Sequence, residues 1–314
     1  MNASIQEIRH ILEQYDHIAV TAHVSPDGDA IGSTLALYGW LRALQKDVVV
    51  VLDDEVDEKF SFLQDYNAIQ QPDAVQTDAS WLTVVLDATD MKRLGNAALL
   101  AKGKVLNIDH HISNQHFADW EYIRPDFAAA GEILTELFLA WNVPIEASWA
   151  DALYMAIATD SGFFKFSNTT GHTLRMAAAL VDAGARPNVI SEHLEARSLS
   201  KLQALSEVLG HIELFGNNTV AGLAFTPELL RYTGEHTGSY IDYVRCIKGV
   251  DVAFTVKYIS ETETRVSLRS KTVDVNAIAA VFGGGGHVRA AGCTIAVPLD
   301  EAKKLLVKEI VKVI

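Results

Sequence analysis

The sequence predicts an α/β protein of two domains, a larger first domain built on a mostly parallel sheet and a smaller second α/β domain. The length of 314 residues exceeds the usual size of one domain, which favours two hydrophobic cores. The first half alternates short apolar runs with helical or loop segments, as parallel α/β sheets do. Beyond residue 211 apolar and polar residues alternate instead, which is typical of half-exposed strands.

The spacing of apolar residues defines the elements of the first domain. The first fifteen residues have helical spacing without a continuous apolar core, so they predict an amphipathic helix rather than a signal peptide. The run ADALYMAIATD, which ends at Asp160, is also helical, and GHTLRMAAALVDAG predicts a helix that ends at Gly184. Almost wholly apolar runs predict strands covered by helices on both faces, at residues 17–22, 47–52, 82–87 and 104–109.

A change of pattern separates the two domains. Pro187 interrupts the helical spacing, and we place a helical linker at residues 188–210, between domains at 1–187 and 211–314. In the second domain strands are predicted by the alternating runs TVAGLAF, DVAFTVKYI and TRVSLRS. Residues 299–313 predict a closing amphipathic helix.

The composition limits the classes of function. The apolar runs are far shorter than the ~20 residues of a membrane span, so we expect a cytoplasmic protein that binds no membrane. The formal net charge of −14 argues against a protein that coats long duplex nucleic acid, because such binding depends on a basic surface. Cys246 and Cys293 lie far apart in the chain, so we expect two core thiols and no disulfide or zinc ribbon.

Side chains that bind hard metal ions recur where the predicted strands end. Because the carboxyl ends of parallel strands meet at one edge of a sheet, groups that follow different strands lie together there. Asp160, at the end of a helix, must approach the same edge from a helix terminus. The groups concerned are His23, Asp27 and Asp29 in HVSPDGDA, Asp87 in WLTVVLD, Asp109, His110 and His111 in KVLNIDHH, and Asp160.

Six of these groups make a ligand set for divalent metal ions. Imidazole nitrogens and carboxylate oxygens without a thiolate suit manganese, magnesium, iron or zinc, with manganese the first choice. Six ligands are too many for one catalytic ion, but they suit two ions that share one aspartate, the arrangement that activates water and clamps a phosphoryl group. The six are His23, Asp27, Asp29, Asp87, His110 and Asp160.

Simpler interpretations exist for parts of this pattern. Asp27 and Asp29 could belong to a turn that caps a helix, and for SPDGDA alone the two interpretations weigh about equally. The adjacent His110 and His111 are harder to explain by packing, because they follow a buried strand at the rim of a sheet. For the histidines without such a context we expect surface roles: His10, His17, His116, His193, His211 and His236.

The order and spacing of five motifs resemble those of the DHH phosphoesterase superfamily. Its four N-terminal motifs are similar to HVSPDGDAIGS, VLDATD, NIDHH and ATDSG, and the glycine-rich signature of its DHHA1 partner domain is similar to GGGGHVRAAG. The resemblance implies a first domain with a mostly parallel sheet flanked by helices, a smaller second domain with a mixed sheet, and a cleft between them. The length is similar to that of the short two-domain oligoribonucleases that also act on 3′-phosphoadenosine 5′-phosphate (PAP).

By this resemblance the aspartates and histidines take separate roles. Asp87 would take part in catalysis as the bridge between two divalent cations, with Mn²⁺ the first choice. Asp109 would orient its neighbours without binding metal. His111 would act in catalysis by stabilising charge on the phosphate or by protonating the leaving oxygen. One ion would be held by His23, Asp27 and Asp87, and the other by Asp29, Asp87, His110 and Asp160.

The resemblance also implies substrate contacts in both domains. Arg269 and Ser270 match a pattern that contacts a substrate phosphate, for which a guanidinium fork is well suited. Arg93 could bind a phosphate or form an exposed salt bridge, and Lys165 stands near the place where the family commonly has a basic residue. A glycine run lets backbone amides approach a nucleotide, although alone it also suits a tight turn. This part of the predicted site comprises Gly284, Gly285, Gly286 and His287.

We therefore expect a metal-dependent phosphoesterase that degrades short single-stranded oligoribonucleotides to mononucleotides and also dephosphorylates PAP. Its ligands would be short oligonucleotides and nucleotide bisphosphates, with no long duplex among them. Three alternatives stay open: a phosphodiesterase for linear dinucleotides, a short-chain polyphosphatase, and a noncatalytic nucleotide sensor. The sequence leaves the oligomeric state undetermined.

Overall fold

The computed structural model describes residues 2–234 and 237–314. The chain divides into two compact units, Met1–Ala196 and Arg197–Ile314. The division falls inside the segment 188–210 that we predicted as a linker, and this segment is helical on both sides of it. Ile190 belongs to the core of the first unit and Val208 to a core of the second. The domain boundaries at 187 and 211 stay a prediction.

The first unit is a parallel sheet with helices. Its amphipathic first helix begins at a capping box, in which Ser4 and Glu7 each accept a hydrogen bond from the other's backbone N–H. The four predicted strands are confirmed to within one residue, and the pattern did not reveal two short edge strands. The elements are α1 (Ile5–Gln14), β1 (His17–Thr21), α2 (Gly28–Ala43), β2 (Asp47–Val51), β3 (Ile69–Gln70), β4 (Leu82–Leu86), β5 (Lys104–Asp109), β6 (Trp120–Ile123), α3 (Ala130–Ala140), α4 (Ala147–Asp160), α5 (Gly171–Asp182) and α6 (Pro187–Glu195).

The six strands of this sheet run parallel in the order β3-β2-β1-β4-β5-β6. Strand β2 lies on one side of β1, and β4, which comes later in the chain, lies on the other side of β1. The strand order therefore reverses between β1 and β4. The main core lies on one face of the sheet, and α1 to α4 all contribute to it. The 3₁₀ segment Met91–Leu100 covers the other face.

Three glycines allow α2 to lie very close to α4. A Cβ atom on Gly28 would lie 2.4 Å from Thr159 Oγ1, and one on Gly32 would lie 2.2 Å from the carbonyl oxygen of Ala152. Gly39 faces a tryptophan of α4 in the same way. Because the start of α2 meets the end of α4, the two helices run antiparallel. Their contact therefore brings the first residues of α2 to the last residues of α4.

The second unit contains a mixed sheet in the order β11-β12-β10-β9-β8-β7, in which only the β8–β9 pair is parallel. The three alternating runs of the sequence are confirmed as β8, β9 and β10, and the closing helix is confirmed as α11. The elements are α7 (Leu199–Leu209), β7 (Glu213–Phe215), β8 (Val220–Phe225), α8 (Pro227–Thr233), α9 (Tyr240–Arg245), β9 (Val252–Ser260), β10 (Glu263–Ser270), α10 (Val275–Val281), β11 (Gly285–His287), β12 (Ala290–Ile295) and α11 (Leu299–Val311).

The two faces of the mixed sheet are covered unequally. Helices α10 and α11 pack on one face, where Ile278, Leu306 and Ile310 join the core. On the other face α7, α8 and α9 cover β8 and part of β9. The apolar cluster on this second face contains no buried residue of β10 or β12 among the described residues.

One expectation about the cysteines was wrong. Cys293 is buried in β12, but Cys246 is exposed. Cys246 follows the last residue of α9, whose core-facing positions are Ile241 and Val244, so its thiol has no place in the core. Of the helices that the structure describes, none has the length and apolar character needed to cross a membrane.

Gly32→Ala should destabilise the first unit, because the added methyl group would press on the backbone of α4. Overpacking of this kind costs about 1–3 kcal/mol, which urea denaturation followed by circular dichroism would measure. The matched control is Gly171→Ala at the start of α5, where the new Cβ would meet only the end of the Arg175 side chain, at 3.4 Å. Equal stabilities of the two variants would contradict the close contact between α2 and α4.

Candidate metal centre

The predicted metal ligands of the first unit gather at the carboxyl ends of β1, β4 and β5. His23 lies two residues beyond β1, Asp87 directly follows β4, and His110 directly follows β5. β1 and β4 are the neighbouring strands between which the strand order reverses. The cluster therefore occupies the position at which open parallel sheets bind ligands.

Asp27 reaches the cluster from the start of α2, where it is the N-cap residue. Its Oδ1 accepts hydrogen bonds from the backbone N–H of Asp29 at 3.0 Å and of Ala30 at 3.1 Å. The same oxygen lies 3.8 Å from His23 Nε2. The helix-capping interpretation of SPDGDA is therefore correct, and the cap also presents a carboxylate to the cluster.

Asp29 is completely buried and is held by the start of a different helix. Its carboxylate accepts hydrogen bonds from the backbone N–H of Ala130 at 2.6 Å and of Gly131 at 2.8 Å, both in the first turn of α3. The Ser33 hydroxyl donates a third hydrogen bond at 2.8 Å. These donors and the positive end of the α3 dipole offset part of the cost of burying the charge.

Asp160 is the last residue of α4, so the packing of α2 against α4 carries it to Asp29. The turn that follows contains Gly162, Phe163 and Phe164, with φ angles of 58°, 55° and 62°. Residues other than glycine rarely adopt this left-handed conformation, which costs of order 1–3 kcal/mol each. The chain is therefore strained directly after Asp160, as it often is at functional sites.

Asp87 is buried and lies between two imidazole rings. Its φ of 52° is also left-handed, and its N–H donates to the carbonyl oxygen of Ile108 at 3.1 Å. Oδ2 lies 3.3 Å from His23 Nε2, whereas Oδ1 lies 3.3 Å from His110 Nε2. The two oxygens of one carboxylate therefore face two different histidines.

The six predicted ligands include two groups that could each hold a metal ion, and Asp87 and His110 also form such a group with Asp109 and His111. Within each group the ligand atoms lie within 4.8 Å of one another. In the group of Asp29, His110 and Asp160, the His110 Nε2 atom lies 3.4 Å from Asp160 Oδ2 and 3.8 Å from Asp29 Oδ2. The first two groups are His23, Asp27 and Asp87, and Asp29, His110 and Asp160.

Two buried atoms of this cluster lack hydrogen-bond partners within the described residues. They are Asp87 Oδ1 and His110 Nε2, which face each other. Buried polar atoms without partners are rare and costly, so each calls for an explanation. Both atoms can donate an electron pair to a cation, and the oxygen and nitrogen set around them is one that divalent ions prefer. The residues present therefore fit a divalent metal ion.

The crowded carboxylates and imidazoles shift one another's pKa. Burial and the negative charge of Asp87 raise the pKa of Asp29, and burial and the charge of Asp29 raise the pKa of Asp160. Burial alone would lower the pKa of His23, but the nearby carboxylates of Asp27 and Asp87 outweigh it and raise this pKa to about 10. Without a cation the cluster therefore retains protons near neutral pH.

Asp109 holds His111 in place. Its buried Oδ1 accepts hydrogen bonds from His111 Nδ1 and from the His110 backbone N–H, both at 2.8 Å, and Oδ2 accepts one from Asn114 Nδ2 at 2.6 Å. Burial opposes ionisation, but the hydrogen bonds from His111 and Asn114 outweigh it and lower the pKa of Asp109. An ionised Asp109 keeps the proton on His111 Nδ1, which leaves Nε2 as the reactive nitrogen.

A cavity of about 140 Å³ opens beside these groups. Arg93 and Thr89 line it, so the structure places Arg93 beside the predicted metal ligands, and its contact with a phosphate stays a prediction. Lys165 is exposed in the strained turn after Asp160 and is not among the residues that line the cavity. The other lining residues are His23, Asp27, Asp87, Ala88, His111 and Asp160.

The substrate residues predicted in the second unit lie on β10 and β11, except Gly284, which directly precedes β11. Arg269 is half-buried, and its Nη1 donates to the carbonyl oxygen of Leu268 at 2.9 Å. Ser270 is buried, and its hydroxyl donates to the carbonyl oxygen of Val273. The Ser270 side chain therefore holds the turn after β10, and its role with substrate stays a prediction.

The second half of the glycine run, Gly285 and Gly286, belongs to the edge strand β11 rather than to an open loop. A Cβ atom on Gly284 would lie 2.3 Å from the carbonyl oxygen of Gly292, and one on Gly286 would lie 2.5 Å from that of Ala290. These two glycines are thus required for β11 to pack against β12. Gly285, Gly286 and His287 are exposed, so a ligand can reach them.

The histidines that we expected at the surface are exposed where the structure describes them. His17 pairs with Asp47 and His116 with Glu121, each at 2.8 Å. His236 lies outside the described residues. The exposed ones are His10, His17, His116, His193 and His211.

The sequence interpretation missed several residues that shape the site. Asn114 is buried and bonds Asp109, and a further hydrogen bond, to Asn107 Oδ1 at 2.8 Å, fixes its amide. The sequence signal for this hydrogen-bond network was Asn107, an asparagine inside the apolar strand KVLNID. Thr89 at the cavity carried no such signal, since a threonine after a strand is ordinary.

Comparisons with known proteins point to one family. The chain matches the DHH family, N-terminal domain, over residues 17–157 and the DHHA1 domain over residues 224–314. It is 33% identical to the bifunctional oligoribonuclease and PAP phosphatase NrnA of Thermus thermophilus, over 91% of this chain and 86% of that one. A protein of the same name from Mycoplasma genitalium is 30% identical, over 93% and 92%.

A solved structure has the same fold. The crystal structure of an exopolyphosphatase-related protein from Bacteroides fragilis superposes with a TM-score of 0.87. The match covers 98% of this chain and 95% of that one, at 24% identity. At this identity the likeness establishes the two-domain fold alone.

Binding of Mn²⁺ should release protons, because the pKa values of His23, Asp29 and Asp160 are all raised before the cation arrives. Protonated ligands cannot bind metal, so the affinity should increase as the pH rises through neutrality. Isothermal titration calorimetry in buffers of different ionisation enthalpy would measure the proton release. A binding enthalpy that is independent of the buffer would contradict the raised pKa values.

Proposed function

Because the chain belongs to the DHH family and carries a DHHA1 domain, we propose that it is a metal-dependent phosphoesterase that degrades short single-stranded oligoribonucleotides to mononucleotides and dephosphorylates PAP. Relatives named for both activities match it over most of their length. The observation that carries the proposal is the placement of Asp87, whose oxygens lie 3.3 Å from His23 and from His110. One carboxylate can thereby serve two metal-binding groups.

Two divalent cations, with Mn²⁺ the first choice, would be held by the two groups of ligands. His23, Asp27 and Asp87 would hold one, and Asp29, Asp87, His110 and Asp160 the other. When bound, the ions would supply Lewis acidity and neutralise the negative charge of the phosphate. The unsatisfied Asp87 Oδ1 and His110 Nε2 support this assignment, because both atoms would then gain a partner.

His111 is the residue that we assign to proton transfer. Its Nδ1 donates a hydrogen bond to Asp109, so Nε2 is the ring nitrogen that would face the substrate. Its side chain is 41% exposed and lines the cavity, so it can reach a phosphate ester there. A protonated Nε2 would donate to the leaving oxygen, and Asp109 would stabilise the charged ring. Arg93, in the same cavity, would bind a nonbridging phosphate oxygen.

The charge distribution supports substrate binding by the second unit. Met1–Ala196 contains 12 Lys and Arg against 28 Asp and Glu, whereas Arg197–Ile314 contains 14 against 12. The net charges are therefore −16 and +2. The excess of negative charge lies in the unit that contains the predicted metal ligands. It therefore does not prevent the second unit from binding a phosphate through Arg269. His287 and the exposed backbone of Gly285 would bind the rest of the nucleotide.

The test of the proposed function is a product profile on RNA of two to five nucleotides and on PAP, with Mn²⁺ supplied. We expect mononucleotides from every RNA and AMP from PAP. Tripolyphosphate and linear dinucleotides serve as comparison substrates for the two enzymatic alternatives. Turnover of dinucleotides alone would favour the dinucleotide phosphodiesterase, and turnover of tripolyphosphate alone the polyphosphatase. Binding without cleavage of any substrate would favour the nucleotide sensor.

Asp87→Asn should lower kcat by at least about a hundredfold, because the amide replaces the carboxylate whose two oxygens face His23 and His110. The variant should still fold, since asparagine has the same size as aspartate and tolerates the left-handed backbone at this position. Steady-state kinetics with saturating Mn²⁺ and circular dichroism would measure the two effects. The matched control is Asp16→Asn, a change of an 87% exposed carboxylate outside the cluster. Turnover of the Asp87 variant equal to that of the control would refute the shared-ligand assignment.

A further inference from the structure

Helix α3 is capped by a predicted metal ligand from another helix. Ala129 stands at its N-cap position, and a methyl side chain cannot accept a hydrogen bond from the first turn. The backbone N–H groups of Ala130 and Gly131 donate instead to the carboxylate of Asp29, which belongs to α2. The position of the Asp29 carboxylate therefore depends on where the start of α3 lies.

The Glu132 side chain folds back over this first turn of α3. Its carboxylate is completely buried, and Oε2 accepts a hydrogen bond from the backbone N–H of Ala128 at 2.8 Å. Ala128 and Glu132 lie on either side of the two residues whose amides donate to Asp29. The Glu132 carboxylate therefore fixes the backbone that holds Asp29.

The start of α5 holds the Glu132 carboxylate in turn. His172 Nδ1 lies 2.7 Å from Oε1, and the Thr173 hydroxyl donates to Oε2 at 3.1 Å. The other ring nitrogen of His172 lies 3.0 Å from Oε2 of Glu136, one turn further along α3. Loss of one partner would leave a buried polar group unsatisfied, which is costly. The first turns of α3 and α5 are thus joined through Glu132.

The segment between α4 and α5 extends this connection to a second predicted metal ligand. Asn168 lies in the segment, and its Nδ2 donates to the backbone carbonyl oxygen of Asp160 at 3.1 Å. The same Nδ2 lies 3.5 Å from the carbonyl oxygen of Ala128. The hydrogen-bond network around Glu132 therefore reaches Asp160 as well as Asp29.

We propose that Glu132 is a positioning residue for the metal centre, which places Asp29 through the start of α3 and thereby sets the affinity of one of two bound cations. The inference rests on the proposed function, since it assumes that two cations bind and that Asp29 holds one of them. The other cation would be held by His23, which follows β1, and by Asp27, which caps α2. Its affinity would therefore not depend on the start of α3.

Glu132→Gln tests the proposal, with Ser33→Ala as the comparison and Asp151→Asn as the matched control. Glutamine keeps the size of the side chain but turns an N–H₂ group toward groups that already donate. The Ser33 hydroxyl donates directly to Asp29, so its loss should affect the same cation. Asp151 is a buried carboxylate near the start of α4 that accepts hydrogen bonds from Arg186 at 2.7 and 3.0 Å. Its change tests for a general effect of lost stability.

Isothermal titration calorimetry would measure the affinities of the two Mn²⁺ ions separately. Glu132→Gln should weaken one binding step about tenfold and leave the other within twofold of wild type, since outer partners of metal ligands typically change metal affinity about 10–100-fold. Ser33→Ala should weaken the same step, and Asp151→Asn should weaken neither. Urea denaturation should find both buried-carboxylate variants less stable than wild type.

Hydrogen exchange of the metal-free protein gives a readout that needs no cation. In Glu132→Gln the amides of Ala130 and Gly131 should exchange about tenfold faster than in wild type, because the first turn of α3 opens more often. In Asp151→Asn they should exchange at the wild-type rate. His172→Gln changes a partly exposed ring and should show the effects of Glu132→Gln in smaller size, so the test does not depend on the folding of one variant.

Two results would overturn the positioning role. Equal weakening of both binding steps would make Glu132 a contributor to general stability, and unchanged affinities with unchanged exchange would remove it from the metal centre. Failure of the proposed function gives a different result, because wild-type protein would then bind fewer than two Mn²⁺ ions or cleave no RNA. The exchange rates would still decide in that case whether Glu132 fixes the backbone that holds Asp29.

Discussion

The contact between α2 and α4 determines where half of the metal ligands lie. Gly28 and Gly32 remove the side chains that would separate the helices, and the start of one therefore meets the end of the other. Asp27 and Asp29 stand at that start, and Asp160 stands at that end. The sheet supplies the remaining ligands from its strand ends, so the cluster forms only where the helix pair crosses the rim of the sheet.

The same geometry makes the cluster unfavourable by itself. Several carboxylates share a small buried volume, the pKa values of Asp29 and Asp160 rise, and two buried polar atoms lack hydrogen-bond partners in the part of the chain that the structure describes. Left-handed backbone at Asp87 and after Asp160 adds strain. A parallel sheet with a large apolar core offsets these costs, and they would decrease on binding of a cation. We infer that the fold is built to hold the ligands in place before the metal arrives.

The predictions from sequence succeeded where burial restricts the residue type. Strands buried on both faces leave polar side chains only at their ends, so the ends of β1, β4 and β5 marked the cluster. Sequence could not reveal which oxygen of Asp87 faces which histidine, because that depends on the left-handed backbone at one residue. Nor could it reveal that Gly284 and Gly286 serve strand packing, since a glycine run looks the same in a ligand loop and at a close strand edge.

Under the proposed function, the division of charge between the units would give each a separate part in binding an anionic substrate. The excess of carboxylates in the first unit suits cations, and it would repel phosphate until cations were bound. Under the proposed function, the second unit, with a slight positive charge, would bind phosphate through Arg269 before or without metal. Metal would then control cleavage more strongly than binding.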